Sequence, residues 1–428
     1  MTNCLTNNKI ELLAPAGNFE KLEIAIHYGA DAVYLGGKDF SLRNFSENFT
    51  LDELQKAVDL GHKNNVKIYV ACNIYSRNFE QQEIADYLQK IGEIGPDAVI
   101  VADPGILMEA CSIIPHIPVH LSTQANTTNY NTVLFWKNQR VKRVNVAREL
   151  SLTEIKEIAS HNSIEIEAFV HGAMCISYSG RCLLSSFMTN RDSNRGMCSH
   201  PCRWKYAVVE ELRPGEYMPL YEDSRGSYIF NSKDLCMIEH IPEMIKAGLT
   251  SLKIEGRMKG INYIASTVKV YREAIDACYE KPADYTAKKE WLKELDTINH
   301  RGYCTGFYFG DPDQISPDYS KFQPSTSHLF VGKVLENSGN HYVSIDVRNK
   351  FFKGDAIEVL SIKGPVKQDK INDIIDISGQ PLSFAPQGSK VSISLSTKCS
   401  TNDLIRKVDS DHFHHRARGD HRENHSFC

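Results

Sequence analysis

Residues Gly29–Gly37 read GADAVYLGG, a glycine that can close a helix followed by a short apolar run that ends in two more glycines. The run behaves as a strand launched straight from a helix end, and it is one of a series. Similar runs rich in Val, Ile and Leu stand at Glu11–Pro15, Ala32–Gly36, Lys67–Cys72, Ala98–Ala102, Pro118–Ser122, Arg143–Ala147, Glu165–Val170 and Ser251–Glu255. They are apolar on both faces, as parallel strands covered on two sides must be. Between them lie amphipathic stretches such as Phe19–His27, Leu51–Lys63, Gln81–Ile94 and Leu152–Ser160, long enough for crossover helices.

Eight strand-helix units in residues 1–310 predict an α/β fold, a (β/α)8 TIM-like barrel, with an open doubly wound sheet as the alternative. In either fold ligands bind at the carboxyl ends of the strands. Those ends nominate Asn73, Asp103, Gln124, Arg148, His171 and Glu255 for a pocket. The spacing breaks once, between the seventh and eighth strands, where a long insertion over 172–235 carries most of the clustered cysteines. Residues 311–327 read as a linker. Period-two alternation over 328–408 predicts a small C-terminal β-barrel domain, and 409–428 read as a disordered His-rich tail.

The chain has 428 residues, 42% hydrophobic and 24% charged, which excludes disordered, collagenous and coiled-coil classes. With 49 Lys and Arg against 53 Asp and Glu, the formal charge of -4 gives no global argument about nucleic acid. No run of apolar residues is long enough to span a membrane and no basic leader precedes one, so a cytoplasmic protein with no membrane partner is expected.

Of the 12 cysteines, Cys175, Cys182, Cys198, Cys202 and Cys236 fall close together, the first four on the glycine-containing segment HGAMCISYSGRCLLSSFMTNRDSNRGMCSHPCRW and the last in NSKDLC. Such loops let several thiolates turn inward on one metal centre. The paired C-x2-C spacing of structural zinc is absent, so an iron-sulfur cluster is favoured over zinc. Buried cysteines packed as small hydrophobes are the plain alternative, poorly suited to neighbours such as Arg181, Ser193 and Asn194. Cys175, Cys182 and Cys198 are the firmest ligands. The fourth is expected to be Cys236, beside an apparent helix start at Asp234, with Cys202 as the alternate.

Basic residues Arg181, Arg191, Arg195, Arg203 and Lys205, interleaved with Phe187, Trp204 and Tyr206, form a candidate RNA-binding face, against the alternative of a solvated loop. In KIEGRMKG, Lys253 and Glu255 should share one face of the last barrel strand. Arg257 could clamp a carboxylate or shape the loop through an Arg-Glu salt bridge. His120, Ser122 and Gln124 lie near the fifth strand mouth, and His171 closes the seventh. There is no HExxH, GxSxG, P-loop or GxGxxG.

ELLAPAG, GADAVYLGG, HGAMCISYSGRCLLSS with NRGMCSHPCRW, and NSKDLC with SLKIEGRMK together resemble the collagenase-like peptidase family U-32. The resemblance covers the barrel from about Lys9 to Ala283, and the C-terminal β-domain is similar to one appended in part of that family. It is strongest toward the branch that acts on tRNA, using prephenate to make 5-hydroxyuridine at the wobble position. It implies a [4Fe-4S] cluster on Cys175, Cys182 and Cys198, with Cys202 or Cys236 as fourth ligand, prephenate as a small carboxylate co-substrate in the barrel, and tRNA as partner. The peptidase name implies proteolysis, so cleavage of peptides is the rival reading, although no recognised protease constellation is present.

Overall fold

The computed structural model describes residues 9–41, 47–161, 164–174, 182–189, 191–193, 197–199, 201, 222–223, 226–227, 233–310, 328–337 and 342–408. Cys175, Cys202, Arg181, Arg195, Arg203, Lys205, the linker 311–327 and the tail 409–428 lie outside these residues. The chain divides into two units, residues 1–287 with 300–323, and residues 288–299 with 324–428.

In the first unit, seven parallel strands follow one another: β1 (Glu11–Pro15), β2 (Ala32–Gly36), β3 (Lys67–Cys72), β4 (Ala98–Val101), β5 (Val119–Leu121), β6 (Val141–Asn145) and β7 (Glu165–Ala173). After the short antiparallel strand β8 (Asp234–Cys236) comes β9 (Ser251–Ile254). This strand pairs in parallel with both β1 and β7, closing eight strands into a ring. The closed barrel is the expected one, and the open-sheet alternative falls. Its strands were legible because burial on both faces demands unbroken Val and Ile, as in β4, AVIV, which is buried throughout.

Helices cover the outside, and their ends are set by local chemistry. Asn18 caps α1 (Phe19–His27) by accepting from the Lys21 amide at 2.9 Å. Thr50 and Glu53 form a capping box at α2 (Leu51–Lys63), and α3 (Gln81–Ile94) ends on Gly95 at φ 70°. Asp103 accepts from the amides of Gly105 and Ile106 at the start of α4 (Pro104–Ile113). Its carboxylate therefore serves the helix, a capping role that explains its place at a strand end.

One expectation is corrected. Asp234 does not open a helix: Asp234–Cys236 is β8, paired antiparallel to β7 with Asp234 opposite Ala173 and Cys236 opposite His171. On its other side β8 pairs with β10 (Tyr303–Cys304). The Asp234 carboxylate is bound by Arg301, and the nearest helical turn begins only at Ile238, after Met237.

The second unit contains a seven-stranded antiparallel sheet ordered Lys367–Lys370, Ala356–Leu360, Leu404–Val408, His328–Asn337, Tyr342–Val347, Lys390–Ser394, Asp373–Ile375. A two-stranded ribbon, Phe351–Phe352 with Phe384–Ala385, accompanies it. Alternate residues such as Val343, Ile345, Val347, Val391 and Ile393 turn into one core. Arg406 is fully buried there. It grips Glu294 of the helix Lys289–Asp296 with both carboxylate oxygens, at 2.7 and 2.9 Å, and Glu358 at 3.1 Å.

Candidate functional site

The barrel interior is polar at its amino-terminal end. Glu11 on β1 lies level with Ser251 on β9, which in turn lies level with Glu167 on β7. Arg143 of β6 enters between them and binds both Glu11 oxygens and Glu165, with Glu167 at 3.4 Å. Tyr69 Oη donates to Glu11 at 2.7 Å, Ser251 Oγ donates to Glu11 at 3.0 Å, and Lys253 Nζ meets Glu167 Oε1 at 2.8 Å.

Burial alone would raise the Glu11 carboxyl, but the charge and hydrogen bonds of Arg143, with Tyr69, overcome it and hold the pKa below its ordinary value. Glu11 and Glu167 are balanced by Arg143 and Lys253, as buried charges must be. Lys253 thus faces the interior as expected, yet its ammonium is directed to the floor, and it also lies 4.5 Å from the Tyr34 ring centroid.

In register with this network, His120 on β5 with Arg143 and Asn145 on β6 with Glu167, two polar atoms have no partner among the described residues: Nδ1 of His120 and Oδ1 of Asn145, in residues only 7% and 2% exposed. Buried polar groups are normally satisfied, so a water or a polar group of a small ligand is the natural complement. His120 is held neutral: burial lowers its pKa well below the usual imidazole value, and Arg143 and Lys253 lower it further.

At the mouth, Asn73 Nδ2 donates to Gln124 Oε1 at 2.8 Å, Ser122 Oγ lies 3.2 Å from the same oxygen, and Tyr75 Oη donates to the Gln124 carbonyl at 2.7 Å. The Gln124 amide is therefore fixed in direction. Arg148 donates to the Ala173 carbonyl at 3.1 Å and lies 3.9 Å over the Phe169 ring.

Arg257 is buried and reaches Ser41 Oγ at 3.3 Å. Its loop presses on two glycines. A Cβ on Gly17 would meet the Arg257 carbonyl oxygen at 2.3 Å, and one on Gly36 would meet the Arg257 guanidinium at 2.6 Å. Glu255 follows β9; its amide donates to the His171 carbonyl at 2.9 Å and its carbonyl accepts from Tyr263 Oη at 2.8 Å.

His171 is 1% exposed, packed against the rings of Tyr263, Tyr271 and Tyr303. Burial lowers its pKa to about 3, so it is a neutral imidazole. Tyr271 Oη donates to the Val170 carbonyl at 2.7 Å and lies 3.8 Å from Cys236 Sγ. The mouth at β7 to β9 therefore joins His171, Glu255 and Cys236, while Gln124 stands with Asn73 across the barrel.

Cys182, Cys198 and Cys236 are half-buried cysteines. Around the first two, Ser193 Oγ donates to the Cys182 carbonyl at 2.9 Å, and Ser199 Oγ lies 2.9 Å from both Ser185 Oγ and Thr189 Oγ1 of the helix Leu184–Thr189. Arg191 Nε donates to the Met197 carbonyl at 3.1 Å and so braces this loop. Among the described residues no three Cys, His, Asp or Glu side chains gather in metal-binding geometry. Cys175, the first of the expected ligands, is not among them.

The interior residues Glu11, Tyr69, Arg143, Asn145 and Glu167 were not singled out from sequence. The available signal was polar residues at period two inside strands that a closed barrel must bury, Glu165 and Glu167 in EIEAF and Arg143 and Asn145 in VKRVN.

The comparisons cover both units. The profile of peptidase family U32 matches residues 17–318, and that of the peptidase family U32 C-terminal domain matches 326–406. The chain is 42% identical over 401 residues to tRNA hydroxylation protein P1 of Bacillus subtilis (strain 168), covering 93% of this chain and 95% of that one. It is 38% identical over 420 residues to tRNA hydroxylation protein P of Escherichia coli (strain K12), covering 88% and 92%. A protein named Collagenase from Porphyromonas gingivalis (strain ATCC BAA-308 / W83) is 30% identical over 424 residues, covering 94% and 98%. The chain belongs to peptidase family U32.

Proposed function

We propose that this chain is a tRNA-modifying enzyme that hydroxylates the wobble uridine to 5-hydroxyuridine, with a [4Fe-4S] cluster and prephenate as co-substrate. The observation that carries the reading is the end-to-end similarity, over both units, to relatives named for tRNA hydroxylation. No membrane-crossing helix is found among the described residues, which agrees with a substrate free in the cell's interior.

The side chains fit a cluster in kind: Cys182, Cys198 and Cys236 offer sulfur and are only half-buried. Cys175, Cys182 and Cys198 would hold it, with Cys236 or Cys202 as fourth. When bound, such a cluster supplies one-electron chemistry and a Lewis-acidic iron. The chain's own residues supply the pocket. Gln124 is oriented by Asn73 and Tyr75, and the buried His120 and Asn145 offer unused hydrogen-bonding atoms to a carboxylate or hydroxyl group. Neutral His171 closes the rim without adding charge.

The test is nucleoside analysis of tRNA from a deletion strain complemented with this gene. Loss of 5-hydroxyuridine derivatives on deletion, recovery with the wild-type chain and no recovery with Cys182→Ala support the reading. Unchanged tRNA overturns it. The relative named Collagenase favours a second reading, peptide cleavage. Turnover of peptide by the purified chain, abolished in Cys182→Ala, would establish it.

A further inference from the structure

In the second unit, Phe352 and Phe384 are partners across the two-stranded ribbon, with ring centroids 6.0 Å apart and 45% and 40% of their surface in water. Their neighbours Phe351 and Ala385 point the other way into the core and are fully buried. Alternation explains the inward pair but not the outward one. A cross-strand aromatic pair adds only about 0.2–1 kcal/mol, and β-branched residues would stiffen the ribbon without exposing ring surface.

The charge around the rings is specific. Lys350 Nζ sits 4.8 Å from the Phe352 centroid and 4.5 Å from that of Phe384, spanning both. It has no ion pair among the described residues. The nearby carboxylates are already engaged: Asp373 by Lys353 at 3.0 Å and Asp355 by Lys407 at 2.9 Å. Lys370, exposed, runs beside Gly354, its Cε 3.8 Å from where a Cβ would stand there, and it too has no ion pair among the described residues. The ribbon therefore presents aromatic surface with positive charge left over. One partner chemistry answers both features at once, an unpaired base joined to phosphate. A second copy of this chain would bring the same positive charge against itself, and two rings are too little apolar surface to anchor in lipid.

We propose that the exposed Phe352–Phe384 pair, with Lys350 above it and Lys370 beside it, is an RNA contact that stacks an unpaired base and holds its phosphate. The inference rests on the reading of tRNA as substrate and extends it by placing a binding surface on the second unit, apart from the cysteine-bearing loop.

The experiment measures binding of the full chain to three probes: labelled tRNA, an RNA hairpin with an unpaired loop, and a fully paired duplex of equal length. The variants are Phe352→Leu with Phe384→Leu, which keeps apolar cover but removes both π-faces, and Lys350→Gln. Ile377→Ala, an isolated exposed residue, is the control. The double variant is expected to lose about ten-fold in affinity for tRNA and hairpin, with duplex binding unchanged. Lys350→Gln should lower the salt slope of tRNA binding by about one. Variants with wild-type melting that bind tRNA as the wild type does overturn the proposal while leaving the tRNA reading intact. A wild-type chain that fails to bind tRNA overturns both. Loss of self-association or of anionic-vesicle binding, with RNA affinity unchanged, also overturns it.

Discussion

Lys253 and Glu167, 86 residues apart in sequence, meet at 2.8 Å inside the barrel. Together with Glu11 and Arg143 they make the ring's closure an electrostatic event, because the partners come from its first, sixth, seventh and last strands. Lys253→Met would leave a buried carboxylate short of a cation. The expected loss is about 3–5 kcal/mol, read by denaturant unfolding. Replacing Lys253 and Glu167 together by apolar residues should cost clearly less than the single change.

The same network sets acid sensitivity. The Glu11 carboxyl lies below its unfolded value, so the folded state binds fewer protons and gains stability above the ordinary carboxylate pKa. That contribution is complete above about pH 4.5 and disappears as pH falls through the depressed folded value. Glu11→Gln should flatten the fall in melting temperature on acidification and cost stability at neutral pH.

Thiol chemistry should separate the cysteines. Burial pushes the thiols of Cys72 and Cys399 up to about 12, so both should resist alkylation at pH 8 in the folded protein. Half-buried Cys182, Cys198 and Cys236 should react in metal-free protein. Peptide mapping after alkylation checks both, and protection of these three on anaerobic reconstitution with iron and sulfide would identify ligands.

Gly17→Ala should disturb the mouth more than a methyl group normally does, because the obstacle is the Arg257 backbone carbonyl at 2.3 Å and backbone cannot swing aside. A loss of about 1–3 kcal/mol is expected in unfolding experiments.

In the second unit, Arg406→Met would remove the buried cation shared by Glu294 and Glu358, leaving Glu358 its contact with His328. A loss of about 3–5 kcal/mol should appear as early melting of that unit, and Arg406→Lys should recover only part of it, lacking the two-pronged grip on Glu294.

The barrel was legible because its strands are buried on both faces, so KIYVAC and AVIV carry their fold in local composition. The β8 segment DLC was not, since three residues hold no period and their conformation comes from β7 and β10 alongside. Arg143 and Glu167 were hidden for another reason: a charge within a strand looks solvated until its counterion, far away in sequence, is known. Gln124, His171, Lys253 and Arg257 could be placed at or near strand ends from the sequence, but not given their partners, which only closure of the ring supplies.

The pairing of Ala173 with Asp234 means that the chain leaves the barrel and returns at one point. Ala173 and Asp234 stand side by side, so the strands of the ring can close whatever length of chain joins these two residues. A short turn spliced from one to the other should leave the barrel able to form.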